Sequence, residues 1–194
     1  MQAQLLQAAK HLFQLHGFRR VTIDDIAKAI GKARSSLYYY YKTKEEILDA
    51  VMANEIKELM AAIVTAVKQA PTSEEKIKVF FQTKLKIILG KKGFFNALDE
   101  GMDSTELFGY QKIKMAVHQQ IWEQETALLS QLIREEISRG EFTKQSQKDQ
   151  EELIFVLHCS LRGLKREMVI RNDFGRITSS IRILIRSIME GIKV

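Results

Sequence analysis

A chain of 194 residues, 45% of them hydrophobic, can build one large domain, or a small domain joined to a medium one, and is not wholesale disordered. Its single cysteine, Cys159, excludes an intrachain disulfide and fits a reducing compartment. No apolar run approaches the roughly 18 residues that span a bilayer, so a cytoplasmic protein without a membrane partner is expected. The net charge of +6 permits nucleic-acid binding and is unevenly spread: residues 1–50 carry 8 Lys/Arg against 5 Asp/Glu, residues 51–160 carry 14 against 16, and residues 161–194 carry 8 against 3.

One proline and ten glycines leave little punctuation and predict an all-α fold of long helices. The N-terminal segment repeats apolar residues at Leu5, Ala8, Ala9, Leu12 and Phe13, the pattern of an amphipathic helix rather than a signal peptide, and Gly17 ends it. Thr22-Ile23-Asp24-Asp25 reads as a capping box that opens a second helix, which Gly31 stops. A third short helix is expected over 34–41. A fourth begins at the box Thr43-Lys44-Glu45-Glu46 and runs to about Gln69, before Pro71. The next is capped by Thr72-Ser73-Glu74-Glu75 and reaches Gly90. Gly93, Gly101 and Gly109 are expected to cut residues 91–110 into short pieces. A long helix then runs over 111–139 to the stop at Gly140. Ser146-Gln147-Lys148-Asp149 opens another to about Arg171, and the last covers 174–191. No strand, repeat or low-complexity segment is visible.

Three short helices with a break around Gly31 make a helix-turn-helix pattern. In the third, Leu37 and Tyr41 are four apart and can share an inward face, which leaves Arg34, Ser35, Tyr38 and Tyr39 pointing mostly outward. A recognition helix needs such a face. Arginine pairs with guanine O6 and N7, while hydroxyls donate to phosphate oxygens. The helix N-termini at Thr22 and at Thr43 and Lys44 offer free N–H groups for phosphates on either side. The alternative for four consecutive tyrosines is a buried aromatic cluster, but four successive residues cover every side of a helix and cannot all be buried.

The run Val21-Thr22-Ile23-Asp24-Asp25-Ile26-Ala27-Lys28-Ala29-Ile30-Gly31, followed by Ser36-Leu37-Tyr38-Tyr39-Tyr40-Tyr41-Lys42-Thr43-Lys44-Glu45-Glu46-Ile47-Leu48, resembles the DNA-binding signature of the TetR family of bacterial regulators. The preceding Ala9-x-x-Leu12-Phe13-x-x-x-Gly17-Phe18 matches that family's first helix. The resemblance covers about residues 5 to 48. It implies a three-helix DNA-binding domain over 1–47 and a larger helical effector-binding and dimerisation domain over 48–194. It also implies that Thr22 caps the second helix and touches a phosphate, that Arg34 and Ser35 read bases, and that Ser36 contacts base or backbone. Tyr38 and Tyr39 would then bind phosphates, Lys44 would hold a phosphate at the start of the fourth helix, and Leu37 and Tyr41 would be core. Relatives often carry Ser or Thr where Ala33 stands, so the third helix here lacks that cap.

Beyond residue 48 the residues allow two readings. Phe80, Phe94, Phe95, Met102, Phe108, Met115, His118 and Trp122 suit a pocket for a small hydrophobic or aromatic effector, and equally an ordinary core. Leu157, Leu161, Leu164, Ile177, Ile181, Leu184 and Ile188 form heptad-like stripes that suit a four-helix homodimer interface, or packing inside one subunit. Lys165, Arg166, Arg176, Arg182 and Arg186 read as the solvated face of bundle helices. Asp99, Glu100, Asp103 and Glu106 read as a solvated acidic loop, and Cys159 as a buried inert thiol. The chain has no GxSxG, P-loop, GxGxxG, HExxH or CxxC motif, and its histidines at 11, 16, 118 and 158 lack ligand spacing. Neither an enzyme nor a cofactor or metal is expected. The expected function is a ligand-responsive transcriptional regulator, a repressor, that binds a palindromic operator in double-stranded DNA as a dimer. The alternatives are a sequence-tolerant architectural DNA-binding protein, or an activator without an effector.

Overall fold

The computed structural model describes residues 1–99, 102 and 104–192. Among these, nine helices form and no strand: α1 (Gln2–Arg20), α2 (Ile23–Ala29), α3 (Arg34–Tyr38), α4 (Lys44–Gln69), α5 (Ser73–Gly90), α6 (Lys92–Asp99), α7 (Ser104–Ser138), α8 (Gln147–Arg171) and α9 (Ile177–Ile192). The all-α expectation holds. Glu100 and Asp103, with the side chains of Asp99 and Glu106, lie outside the described residues, and with them the acidic loop read from the sequence.

Local chemistry sets most boundaries. Gly17 interrupts α1 at φ 76° and ψ 160°, a conformation that a Cβ would strain. Thr22 opens α2 with a complete box: its hydroxyl oxygen accepts from the Asp25 amide at 3.2 Å, and the Asp25 carboxylate accepts from the Thr22 amide at 2.9 Å. The box expected at α4 is only half formed. Thr43 Oγ1 accepts from the Glu46 amide, but the Glu46 carboxylate accepts from the Lys42 amide instead of that of Thr43. Ser146 accepts from the Asp149 amide at 3.1 Å to start α8.

Three expected boundaries are corrected. The third helix ends at Tyr38 rather than Tyr41, because the amides of Tyr40 and Tyr41 both donate to the Leu37 carbonyl at 2.9 Å and close the chain into a tight turn. Gly93 and Gly109 do not cut the chain, since α6 includes the first and α7 the second, while Gly101 lies outside the described residues. A helical glycine costs only about 1 kcal/mol against alanine, which a 35-residue helix absorbs. The last helix starts at Ile177, three residues later than expected.

Packing gathers the chain into two compact units, each discontinuous in sequence. Unit 1 is Met1–Glu58 with Ile88–Ile121. Leu5, Ala9 and Phe13 of α1, Ile26 of α2, Leu37 of α3, Ile47, Leu48 and Val51 of α4, and Phe94 and Leu98 of α6 make one buried cluster, in which α1 lies along α6. Within it Glu55 of α4 is 5% exposed, with the ammonium groups of Lys10 at 2.5 Å and Lys91 at 2.6 Å. The expected domain boundary after residue 47 falls inside α4, an unbroken helix of 26 residues.

Unit 2 is Leu59–Ile87 with Trp122–Val194. It buries Phe80, Phe81 and Leu85 of α5, Leu129 and Ile133 of α7, Leu157 and Leu161 of α8, and Ile181, Ile185 and Met189 of α9. Two more buried carboxylates carry lysine partners here. Glu125 takes Lys84 at 2.5 Å, and Glu136 takes Lys76 and the Ser73 hydroxyl, both at 2.6 Å. Burial pushes the Glu136 carboxyl up, but the bonds from Lys76 and Ser73 outweigh it and hold the group below its ordinary 4.5.

A carboxyl whose folded-state pKa is depressed contributes stability above its unfolded value and loses that contribution as the pH falls through the folded value. Glu136→Gln should therefore lower stability at neutral pH by roughly 1–3 kcal/mol. In urea unfolding followed across pH, the gap from wild type should close as acid protonates the Glu136 carboxylate, below its ordinary 4.5.

Candidate nucleic-acid interface

Helices α2 and α3 pack together in unit 1, joined by a turn in which Gly31 adopts φ 63°. Leu37, fully buried, anchors α3 in the core, and Tyr41 packs half-buried against the same cluster. Both inward residues lie where the sequence places them. The opposite side of α3 faces outward: Arg34 and Ser35 are exposed, Ser36 and Tyr38 are half-buried, and Tyr39 is 82% exposed. No acidic residue lies on α3, and the exposed Lys28, Lys32 and Lys42 flank it in sequence. Ala33 supplies no side-chain cap.

Four of the seven side chains expected to meet DNA, those of Thr22, Arg34, Tyr38 and Lys44, are hydrogen-bonded within the chain. The Thr22 hydroxyl donates to the Asp25 carboxylate at 2.6 Å, and this bond, with that from the Thr22 amide, holds the Asp25 carboxyl below its ordinary value. Arg34 donates through Nε and Nη2 to the Tyr38 hydroxyl at 3.0 and 2.6 Å, and through Nη1 to the Asp24 carboxylate at 3.0 Å. Lys44 donates to the Phe18 and Arg19 carbonyls at 2.9 and 3.4 Å, with its ammonium 4.2 Å from the centre of the Phe18 ring. Lys44 therefore closes the end of α1, whose last carbonyls lack helical partners. Sequence reasoning missed Asp24 as a holder of Arg34 and Phe18 as the seat of Lys44. The signal for Lys44 was present, since the break at Gly17 leaves carbonyls for a nearby cation.

Residues expected to hold an effector fall in both units. Phe94, Phe95 and Met102 pack in or against the unit 1 core. Phe108 and Met115 are 62% and 72% exposed on α7, where His118 is also exposed. Phe80 is buried in unit 2, and Trp122 is half-buried there. A groove of about 580 Å³ in unit 1, lined by Tyr41, Asp49, Ala53, Ile113 and Val117 among others, contains none of them.

Of the residues expected at a dimer interface, Leu157, Leu161 and Ile181 are buried inside the chain, while Leu164, Ile177, Leu184 and Ile188 are half-buried. Other apolar side chains of α8 and α9 are exposed, notably Phe155 (53%), Ile170 (66%) and Ile183 (53%). Cys159, expected to be buried, is exposed, because α8 turns His158 inward instead. Among the described residues no group of three His, Cys, Asp or Glu side chains is placed to hold a metal ion, and no helix is long and apolar enough to cross a membrane.

The N-terminal segment that carries α1 to α3 has known relatives. Residues 5–51 match the family model for bacterial regulatory proteins of the tetR family. The HTH-type transcriptional regulator EthR of Mycolicibacterium smegmatis is 28% identical over 87 residues, 42% of this chain and 40% of its own. The fatty acid metabolism regulator protein of Bacillus subtilis is 24% identical over 87 residues, 45% of each chain. Each alignment thus spans less than half of the relative. Fold similarity extends further: a structure of the fatty acid degradation regulator FadR from Bacillus halodurans has a TM-score of 0.66 at 18% identity, covering 95% of this chain and 92% of that one.

Lys44→Met keeps the aliphatic stem on Phe18 but removes the donor to both carbonyls. Stability should fall by about 1 kcal/mol, read as a lower urea midpoint with an unchanged slope. An unchanged midpoint would show that Lys44 does not hold the end of α1.

Proposed function

We propose, from the premise that the chain belongs to the TetR family, that it is a ligand-responsive transcriptional repressor acting in the cytoplasm. It would bind a palindromic operator in double-stranded DNA as a homodimer and leave it when a small hydrophobic or aromatic effector binds. The observation that carries this reading is the outward face of α3, on which Arg34, Ser35 and Tyr39 are accessible while Leu37 fixes the helix to its core. Arg34 would exchange Asp24 for a guanine edge. Ser35 would contact a base, and Ser36 a base or the backbone. Tyr38 and Tyr39 would donate to phosphates. Thr22 and Lys44 would act mainly by holding α2 and the end of α1 in place beside the duplex.

Dimerisation would use the exposed apolar side chains of α8 and α9, Phe155, Ile170 and Ile183 among them, beside the half-buried Leu164, Leu184 and Ile188. A two-fold pair sets two recognition helices about 34–36 Å apart, one turn of DNA. The effector would bind a state in which that spacing is lost, since a ligand with equal affinity for both states shifts nothing. Helix α4 is the element suited to transmit the shift, because it starts next to α3 and contributes residues to both units.

Selection from random duplex DNA should enrich a palindrome with the wild-type protein, and Arg34→Ala should lose or relax that enrichment. Salt-sensitive binding to any duplex, without enrichment, would indicate an architectural role instead. Asp24→Asn removes the internal competitor for Arg34 and should tighten operator binding by up to about fivefold; weaker binding would show that Asp24 aims Arg34 productively. Ile183→Glu combined with Phe155→Glu should yield monomers in analytical ultracentrifugation and abolish operator binding at nanomolar protein.

A further inference from the structure

The basic residues of 161–194 differ in their surroundings. Arg171, Arg176 and Arg186 are exposed and paired with Glu167, Asp173 and Glu190, as on any solvated helix face. Lys165 differs. It is half-buried, and among the described residues it has no hydrogen bond or ion pair. Burial, and then repulsion from Lys84 and Arg162, depresses its ammonium pKa.

The surroundings are built from three helices of unit 2. On α8, His158, Arg162 and Lys165 follow one another at helical spacing and share a stripe. From α7 come Trp122 and Glu125, and from α5 comes Lys84. Lys84 is 2.5 Å from Glu125 Oε2, and His158 Nδ1 is 3.6 Å from the same oxygen. The Trp122 ring lies 4.4 Å from the His158 ring and 5.3 Å from the Arg162 guanidinium. Glu125 is 1% exposed, and its Oε1 has no hydrogen-bond partner among the described residues. Lys84 and Arg162 thus act on the Glu125 carboxylate, and both repel the half-buried Lys165 one turn further along α8.

We propose that Lys84, Arg162 and Lys165 form a subsite for the anionic group, a carboxylate or a phosphate monoester, of an amphiphilic ligand. This deepens the reading of the chain as effector-responsive and rests on it for the ligand's regulatory role. An anion at Lys165 and Arg162 relieves the repulsion between the three cations and receives charge-assisted bonds in a partly desolvated place. A donor on the same ligand satisfies Glu125 Oε1. Lys84, held by Glu125, supplies field more than direct contact. These residues belong to unit 2, whereas α3 belongs to unit 1.

The test is titration calorimetry with octanoate, octyl phosphate and octan-1-ol, with the fluorescence of Trp122, the only tryptophan, as a second readout. The wild-type protein should bind at least one of the two anions on the order of tenfold more tightly than the alcohol, with a change in Trp122 emission. The better of the two identifies the source of the charge. Lys165→Met keeps the packed stem and should abolish the preference while leaving alcohol binding unchanged; Lys165→Arg should restore it. Equal affinity for acid and alcohol, absence of binding by either anion, or an unchanged preference in Lys165→Met would overturn the proposal. Operator affinity is measured separately: anion binding that leaves it unaltered removes the effector role and keeps the subsite, whereas failure to bind DNA bears on the repressor reading alone.

Discussion

The carboxylate of Glu55 ties together the helices of unit 1 on which α2 and α3 rest. It lies on α4, almost wholly out of water, and it takes its two ammonium partners from α1 and from the turn before α6. An ion buried in this way is tolerated only while its partners stay in place, and removing one leaves an uncompensated charge. Helix α4 therefore cannot slide or rotate far against α1 without disturbing both contacts. The geometry of α2 and α3 inherits this constraint, because both pack on the cluster that α1 and α4 frame. Unit 2 repeats the device with Glu125 on Lys84 and Glu136 on Lys76. In each case the lysine comes from a different helix, so each pair fixes the register of two elements where apolar contact alone would tolerate slippage.

The connection between α3 and α4 is correspondingly short and polar. The Lys42 side chain donates to the Tyr38 carbonyl, the Lys42 amide donates to the Glu46 carboxylate, and Gln2 donates to the Tyr41 hydroxyl. The end of the outward-facing helix, the start of α4 and the N-terminus of α1 are tied within a few residues. A change in the direction of α4 reaches α3 through these bonds rather than through a flexible linker. That suits a regulator whose output is the placement of one short helix.

What the sequence disclosed follows the range of the interactions concerned. Caps at Thr22 and Ser146 and the breaks at Gly17 and Gly140 depend on groups two to four residues apart, and they stand where the pattern places them. Leu37 and Tyr41 were legible for the same reason. The lysine–glutamate pairs were not, since Lys84 and Glu125, or Lys76 and Glu136, are joined only by the tertiary fold. Aromatic and methionine content did not disclose which face of a helix carries them: Phe94 and Phe108, alike in composition terms, end at 3% and 62% exposure. The heptad-like stripe of α8 and α9 marks in part a seam inside the chain, with Leu157, Leu161 and Ile181 buried, and the exposed apolar residues occupy neighbouring positions that the same period does not separate. Half of the box at α4 went to Lys42 because two backbone amides lie within reach of one glutamate, a choice that spacing does not decide.

The packing of α1 along α6 also bears on the order in which the protein is made. The first three helices leave the ribosome early, yet Leu5, Ala9 and Phe13 share their cluster with Phe94 and Leu98, which are synthesised some 80 residues later. Chains grow at about 5–20 residues per second, so the outward-facing helix is translated several seconds before its core is complete. During that interval the nascent segment has basic residues and an apolar face still without its partners from α6. The cluster on which α3 rests is thus complete only once α6 and the start of α7, through Tyr110, have emerged, and a chain terminated before them leaves it unfinished.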